Sequence, residues 1–141
     1  MEISQAGLEA IVQREGLILK AYRDSRGILT IGVGHTGRMS PPRVSNGIVW
    51  TRDYAIQILR QDLGPTMAEV NRAVRLPMSQ NQFDAYCSLC FNIGVGGFAS
   101  SSTVKMFNQG NVGAAADDFL LWDHPAELLG RRKAERAQFL T

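Results

Sequence analysis

The chain has 141 residues, 45% of them hydrophobic and 20% charged, with fifteen Lys and Arg against thirteen Asp and Glu for a net charge of +2. This length suits one domain with a substantial core, the composition excludes a disordered chain, and so small a net charge does not demand a nucleic-acid partner. No apolar run approaches the roughly 18 residues of a membrane span, so no membrane insertion is expected.

Ser4 can cap a first helix whose apolar positions Leu8, Ile11 and Val12 recur at helical spacing. Gly16 is its natural stop, which puts Glu15 in the last turn. From Leu19 to Val33 the pattern changes to short extended pieces, LILKAY and ILTIGVG, separated by RDSRG. Asp, Ser and Gly supply turn chemistry there, and a hairpin is expected. GHTGRMSPPRVSNG, with three Gly and two Pro, is a loop.

Thr51 then caps a helix striped by Ala55, Ile58, Leu59 and Leu63 and interrupted at Pro65. A further helix carries Met67, Val70 and Val74 and breaks at Pro77. Ser79 and Gln82 form a capping box ahead of Phe83, Tyr86, Cys87, Cys90 and Phe91, the expected central helix, which Gly94, Gly96 and Gly97 end. Ser102 can cap TVKMFNQG, Asn111 can cap VGAAADDFLLW, and RRKAERAQFL closes the chain.

The layout is α+β. A small antiparallel hairpin lobe over about residues 17–47 is followed by a larger helical lobe over about 51–141, to which the N-terminal helix is added, the whole forming one domain. Cys87 and Cys90 fall one turn apart on the central helix and read as buried, reduced core residues, not as a redox or zinc pair. No apolar stripe is left over once the core is assigned, so a monomer is expected. The start MEISQAGLEAIVQREG lacks the basic and apolar regions of a signal peptide, which points to the cytoplasm.

The stretch EGLILKAYRDSRGILTIGVGHTG concentrates the chemistry. Cleaving a glycosidic bond requires one carboxyl group that stays protonated for the leaving oxygen and a second that stays ionised. Glu15 sits at a helix C-terminus, where the dipole and apolar Leu17 and Leu19 favour its protonated form. Asp24 sits in a polar turn with Ser25 and Arg26, where solvent and a cation favour the charged form. If the hairpin folds back, the Thr30 hydroxyl lies across from Asp24 and can share a water with it. The same residues also serve as a solvated helix end, a turn former and an ordinary strand residue, and spacing alone leaves both readings open.

The spacing of Glu15, Asp24 and Thr30, running into TIGVGHTG, resembles the active-site signature of the phage-type lysozymes, glycoside hydrolase family 24. QNQFDAYCSLCFNIGVGGFASSSTVKMFN is similar to that family's central helix and following turn, AAADDFLLW to a later helix, and LLGRRKAERAQFL to its C-terminal helix. The pattern is nearest to the lysozymes of lambdoid Salmonella phages. The resemblance implies a lysozyme-like fold and inverting hydrolysis of the β-1,4 bond between N-acetylmuramic acid and N-acetylglucosamine in peptidoglycan. Glu15 would be the general acid, Asp24 the base that orients the attacking water, and Thr30 that water's second partner.

Phe91 and Asn92 match the family's substrate turn, with Thr36 and Ser102 as further substrate-binding candidates. Arg131 and Arg132 are also implied to be substrate-binding, and one of them is expected to approach Glu15 and close the far wall of the active site. His35 is implied to be structural, paired with Asp62, and no metal or cofactor is implied. A holin-type membrane protein is the indirect partner expected to open the host membrane, after which the enzyme acts on peptidoglycan in the periplasm. A lytic transglycosylase, a binding module without catalysis and a small DNA-binding protein are the rival classes. The second carboxylate argues against the first and the full residue set against the second, while GRRKAER is too short and dispersed a basic run for the third.

Overall fold

The computed structural model of the chain describes residues 1–141. In chain order the elements are α1 (Gln5–Glu15), β1 (Ile18–Arg23), β2 (Leu29–Gly32), α2 (Arg52–Asp62), α3 (Gly64–Ala73), α4 (Gln80–Ile93), α5 (Val95–Ala99), α6 (Ser102–Asn108), α7 (Val112–Asp117), a 3-10 turn (Asp118–Leu121) and α8 (Leu128–Leu140). The α+β layout holds, with one two-stranded antiparallel sheet. No helix is long and apolar enough to cross a membrane.

Helix starts fall where short polar side chains can take an otherwise unpaired backbone N–H. Ser4 Oγ accepts from Gly7 at 3.0 Å, Thr51 Oγ1 from Tyr54 at 3.2 Å and Asn111 Oδ1 from Ala114 at 3.1 Å. Ser79 and Gln82 complete the reciprocal capping box. One cap differs from expectation: α6 starts after Ser101, whose extended backbone does the work, while its hydroxyl donates back to the Phe98 carbonyl at 2.6 Å. The run of glycines after α4 also hid a helix. Gly94 ends α4 with φ +92, and the chain resumes at once as α5.

Contacts divide the chain into two compact units, Met1–Gly7 with Gly64–Thr141, and Leu8–Leu63. In the first, Phe83 to Cys90 of α4 are all buried, and α8 packs along that helix. Tyr86 is the hub: its ring stacks on Phe119 at 5.4 Å and meets Phe98, Phe107 and Phe139 in tilted or edge-on geometry. Such pairs add specific attraction to the area they bury. Both cysteines lie in this core as free thiols, and burial pushes their pKa values up, Cys90 to about 12.

The second unit is wider than the hairpin lobe expected at 17–47, because α2 packs on β2 and joins the same core. Ile31, Val44, Trp50, Ala55 and Ile58 form that core, with Leu17, Leu19, Ala21, Leu29 and Ile48 against it. Gly32 is required there, since its φ is +69 and a Cβ would sit 3.0 Å from the Trp50 ring. The loop after β2 is tied to the end of α2. His35 Nδ1 meets Asp62 Oδ2 at 2.7 Å, its Nε2 meets the Pro42 carbonyl at 2.8 Å, and Ser40 Oγ donates to Asp62 Oδ1 at 2.8 Å. The His35 and Asp62 pair expected from the sequence is therefore formed.

Asp62→Ala leaves the buried His35 and the half-buried Ser40 without their carboxylate partner and is expected to lower unfolding free energy by about 3 kcal/mol, read as a shift of the urea midpoint. A thiol reagent at mildly alkaline pH is expected to label neither cysteine in the native protein and both in denaturant, because the thiols are buried and held protonated.

Candidate active site

The turn joining β1 to β2 is a short loop of Ser25, Arg26 and Gly27. Gly27 N–H donates to the Asp24 carbonyl at 2.9 Å, Gly27 takes φ +78, and Asp24 N–H donates to the Ile28 carbonyl at 2.9 Å. This is a type I turn closed by a left-handed glycine, the arrangement that Asp at the first and Gly at the fourth position favour. The Asp24 side chain completes it. Its Oδ1 accepts the N–H of Arg26 at 2.8 Å and of Ile28 at 2.9 Å.

Those bonds set the electrostatics of Asp24. The Ile28 N–H holds its carboxyl below the ordinary 3.8, and the Arg26 N–H and the Arg26 and Arg38 charges act the same way against a smaller desolvation effect. The sequence assigned this to solvent and a cation; backbone donors are the larger cause. Asp24 Oδ2 makes no hydrogen bond within the protein and is available as an acceptor.

Thr30 is not directly across from Asp24. The register pairs it with Tyr22, and the residue opposite Asp24 is Ile28. Alternation along the strands nonetheless puts Asp24 and Thr30 on the same face as diagonal neighbours, typically about 7–8 Å apart, a separation that admits a water. The Thr30 hydroxyl donates to the Ile28 carbonyl at 2.9 Å, so its lone pairs remain for accepting. One peptide unit, Ile28, thus orients both side chains: its N–H holds Asp24 and its carbonyl holds Thr30. Sequence reasoning missed Ile28 because a backbone role carries no residue-type signal; the turn chemistry of DSRG was the one indication.

Glu15 is the last residue of α1 and belongs to the same unit as Asp24 and Thr30. Gly16, at φ +85, closes the helix by donating to the Val12 carbonyl at 2.9 Å. Desolvation by Leu17 and Leu19 does not occur as expected: Glu15 is exposed, and both leucines turn into the core of the second unit. Glu9 of α1 and Arg52 of α2 pair at the surface through both carboxylate oxygens.

The remaining candidates separate. Thr36 is half-buried in the loop after β2, where its hydroxyl accepts the Arg38 N–H at 3.3 Å. Phe91 and Asn92 are half-buried at the end of α4, Ser102 is exposed at the start of α6, and Arg131 is half-buried on α8. Arg132 departs from the expectation that it contacts substrate. It is 0% exposed, inside the helical unit, with Glu135 and Asn92 as side-chain partners and the Trp122 carbonyl on its Nε at 2.8 Å. On a helix, the residue after a half-exposed one turns by about 100° and here enters the core. Arg136 lies at the surface and pairs with Asp117 at 2.7 Å.

The family model for phage lysozyme matches residues 12–135, a span that contains Glu15, Asp24 and Thr30. The endolysin of Salmonella phage P22 is 46% identical over 145 residues, covering 100% of this chain and 99% of that protein. A crystal structure of a P22 lysozyme variant matches with a TM-score of 0.94 at 46% identity, over 100% of this chain and 99% of that one. The muramidase domain of SpmX from Asticaccaulis excentricus matches with a TM-score of 0.87 at 37% identity, over 99% of this chain and 98% of that one. With this match along almost its whole length and a hairpin that presents an ionised aspartate, the chain belongs to the phage lysozyme family and is an enzyme of the lysozyme type.

Proposed function

We propose that this enzyme is a muramidase that hydrolyses the β-1,4 bond between N-acetylmuramic acid and N-acetylglucosamine in bacterial peptidoglycan, with inversion. Glu15 is the general acid and protonates the leaving oxygen. Asp24 is the general base and Thr30 the second anchor of the attacking water. The observation that carries the reading is the Ile28 peptide unit with Asp24 and Thr30 on its two sides. A water that donates one proton to Asp24 Oδ2 and the other to Thr30 Oγ1 has a lone pair left for the anomeric carbon. As the bond forms, Asp24 takes the proton facing it, which needs a carboxylate that is ionised beforehand.

Phe91, Asn92, Thr36, Ser102 and Arg131 are read as substrate-binding residues, and Arg132 is not among them because it has no exposed surface. The endolysin name of the P22 relative supports a role in host lysis. In that role the monomeric enzyme stays in the host cytoplasm until a holin-type membrane protein opens a lesion, then reaches peptidoglycan in the periplasm.

Glu15→Gln is expected to slow clearing of a cell-wall suspension at least about a hundred-fold. Equal clearing by the variant would remove Glu15 from the acid's role. Wild-type digests should contain free reducing ends, whereas 1,6-anhydro sugars in mass spectra would mean a transglycosylase. Asp24→Asn keeps the oxygen that accepts the two backbone N–H groups, so the variant should fold while losing activity on a similar scale.

The Asp24 carboxyl, followed by carbon NMR, is expected to titrate with a midpoint below 3.8. Its folded value is depressed, so the stability it contributes is present above the unfolded value and is lost as pH falls through the folded one. Asp24→Asn should therefore flatten the acid limb of the stability profile; an unchanged limb would contradict the assignment.

A further inference from the structure

Arg132 and Glu135 are both 0% exposed, and the pair they form lies wholly inside the helical unit. Burying two charges is costly, and replacing such a pair by apolar residues of similar volume is commonly neutral or stabilising. Folding by itself does not call for this pair. The chain of bonds around it begins at Ser88 Oγ, which donates to Glu135 Oε2 at 2.6 Å, passes through Glu135 Oε1 to Arg132 Nη1, and ends where Arg132 Nη2 donates to Asn92 Oδ1. The Trp122 carbonyl on Nε at 2.8 Å fixes the plane of the guanidinium.

An arginine can only donate, so the oxygen of Asn92 must face it, and the amide nitrogen faces away. Asn92 is half-buried near the end of α4, and its Nδ2 makes no hydrogen bond within the protein. The buried network therefore terminates at a surface amide held in one of its two orientations. A sugar hydroxyl can donate or accept by rotating and would be served by either end of an amide. Only a group that accepts and cannot donate requires the nitrogen to be the end on offer. On an N-acetylated glycan the ether oxygens of the ring and the glycosidic link are weak acceptors of this kind, and the strong one is the carbonyl of the acetamido substituent.

We propose that Ser88, Glu135 and Arg132 are positioning residues that hold the Asn92 amide nitrogen outward to recognise an acetamido carbonyl of the substrate. The inference rests on the muramidase reading above and deepens it by naming the substituent recognised and the residues that impose the choice.

The test compares peptidoglycan with the same material after chemical N-deacetylation, using the full chain and counting reducing ends. Asn92→Asp keeps the oxygen that Arg132 grips and replaces the donor with an acceptor, so it should fold with a melting temperature at or above that of the wild type. Its KM for acetylated substrate is expected to rise about ten-fold, with the loss falling more on KM than on kcat, and its preference for acetylated over deacetylated substrate to collapse. Arg132→Met combined with Glu135→Leu releases the amide while keeping the core filled, and should show the same loss of preference. Where that double variant does not fold, Asn92→Asp decides alone. An active wild type with unchanged KM and preference in folded Asn92→Asp, or in the folded double variant, would overturn the positioning role and leave the muramidase reading standing. A wild type that releases no reducing ends would overturn both.

Discussion

With one exception, the polar side-chain atoms in this protein's interior each find a partner, and that constraint organises both of its units. Of the buried side-chain polar atoms, Gln138 Oε1 alone lacks one. Tyr86, at the hub of the aromatic core, directs its hydroxyl to Thr103, whose own hydroxyl donates to the Ala115 carbonyl at 2.7 Å, so the central helix is bound to α6 and α7 by a relay of two hydroxyls. Asp84 on the same helix accepts from the backbone of Ser4 at 3.0 Å and from Gln80 at 2.8 Å. Gly7 passes so close that a Cβ there would lie 2.5 Å from the Asp84 carboxyl carbon. Arg132 is the extreme case, since a guanidinium can be buried only with several acceptors around it.

The same accounting makes the hairpin chemically useful. A tight turn leaves backbone N–H groups near its tip, and Asp24 collects two of them on one oxygen. The structural task and the chemical one coincide, because the bonds that close the turn also stabilise the charged carboxylate and leave its other oxygen unused. Thr30 spends its proton on the next carbonyl in the same way, which commits the hydroxyl to accepting. Glu15, in the same unit, is exposed at the end of α1, whereas Asp24 is half-buried in its turn.

Most of the helical fold was legible in the sequence. The caps at Ser4, Thr51, Ser79 and Asn111 were readable because a cap is completed within three residues of itself. The hairpin was readable for the same reason. Three features of the candidate site were not: the register that pairs Thr30 with Tyr22, the exposure of Glu15, and the inward turn of Arg132. Register depends on hydrogen bonds between strands, and the fate of Leu17 and Leu19 depended on a core to which α2 also contributes. The short helix after Gly94 was hidden because a run of glycines signals a stop and says nothing about how soon the chain turns again.

The sequence by itself determined the elements, their caps, the turn that ionises Asp24 and the spacing that brought Glu15, Asp24 and Thr30 into question, because these depend on interactions between residues close along the chain. Only the tertiary structure decided what each side chain faces. Arg132 and its neighbour Arg131 are alike in sequence and on adjacent positions of one helix, yet one is half-buried and the other meets partners 10 and 40 residues away in the chain. That difference lies in the packing of α8 along α4, where a turn of about 100° between successive residues separates surface from core.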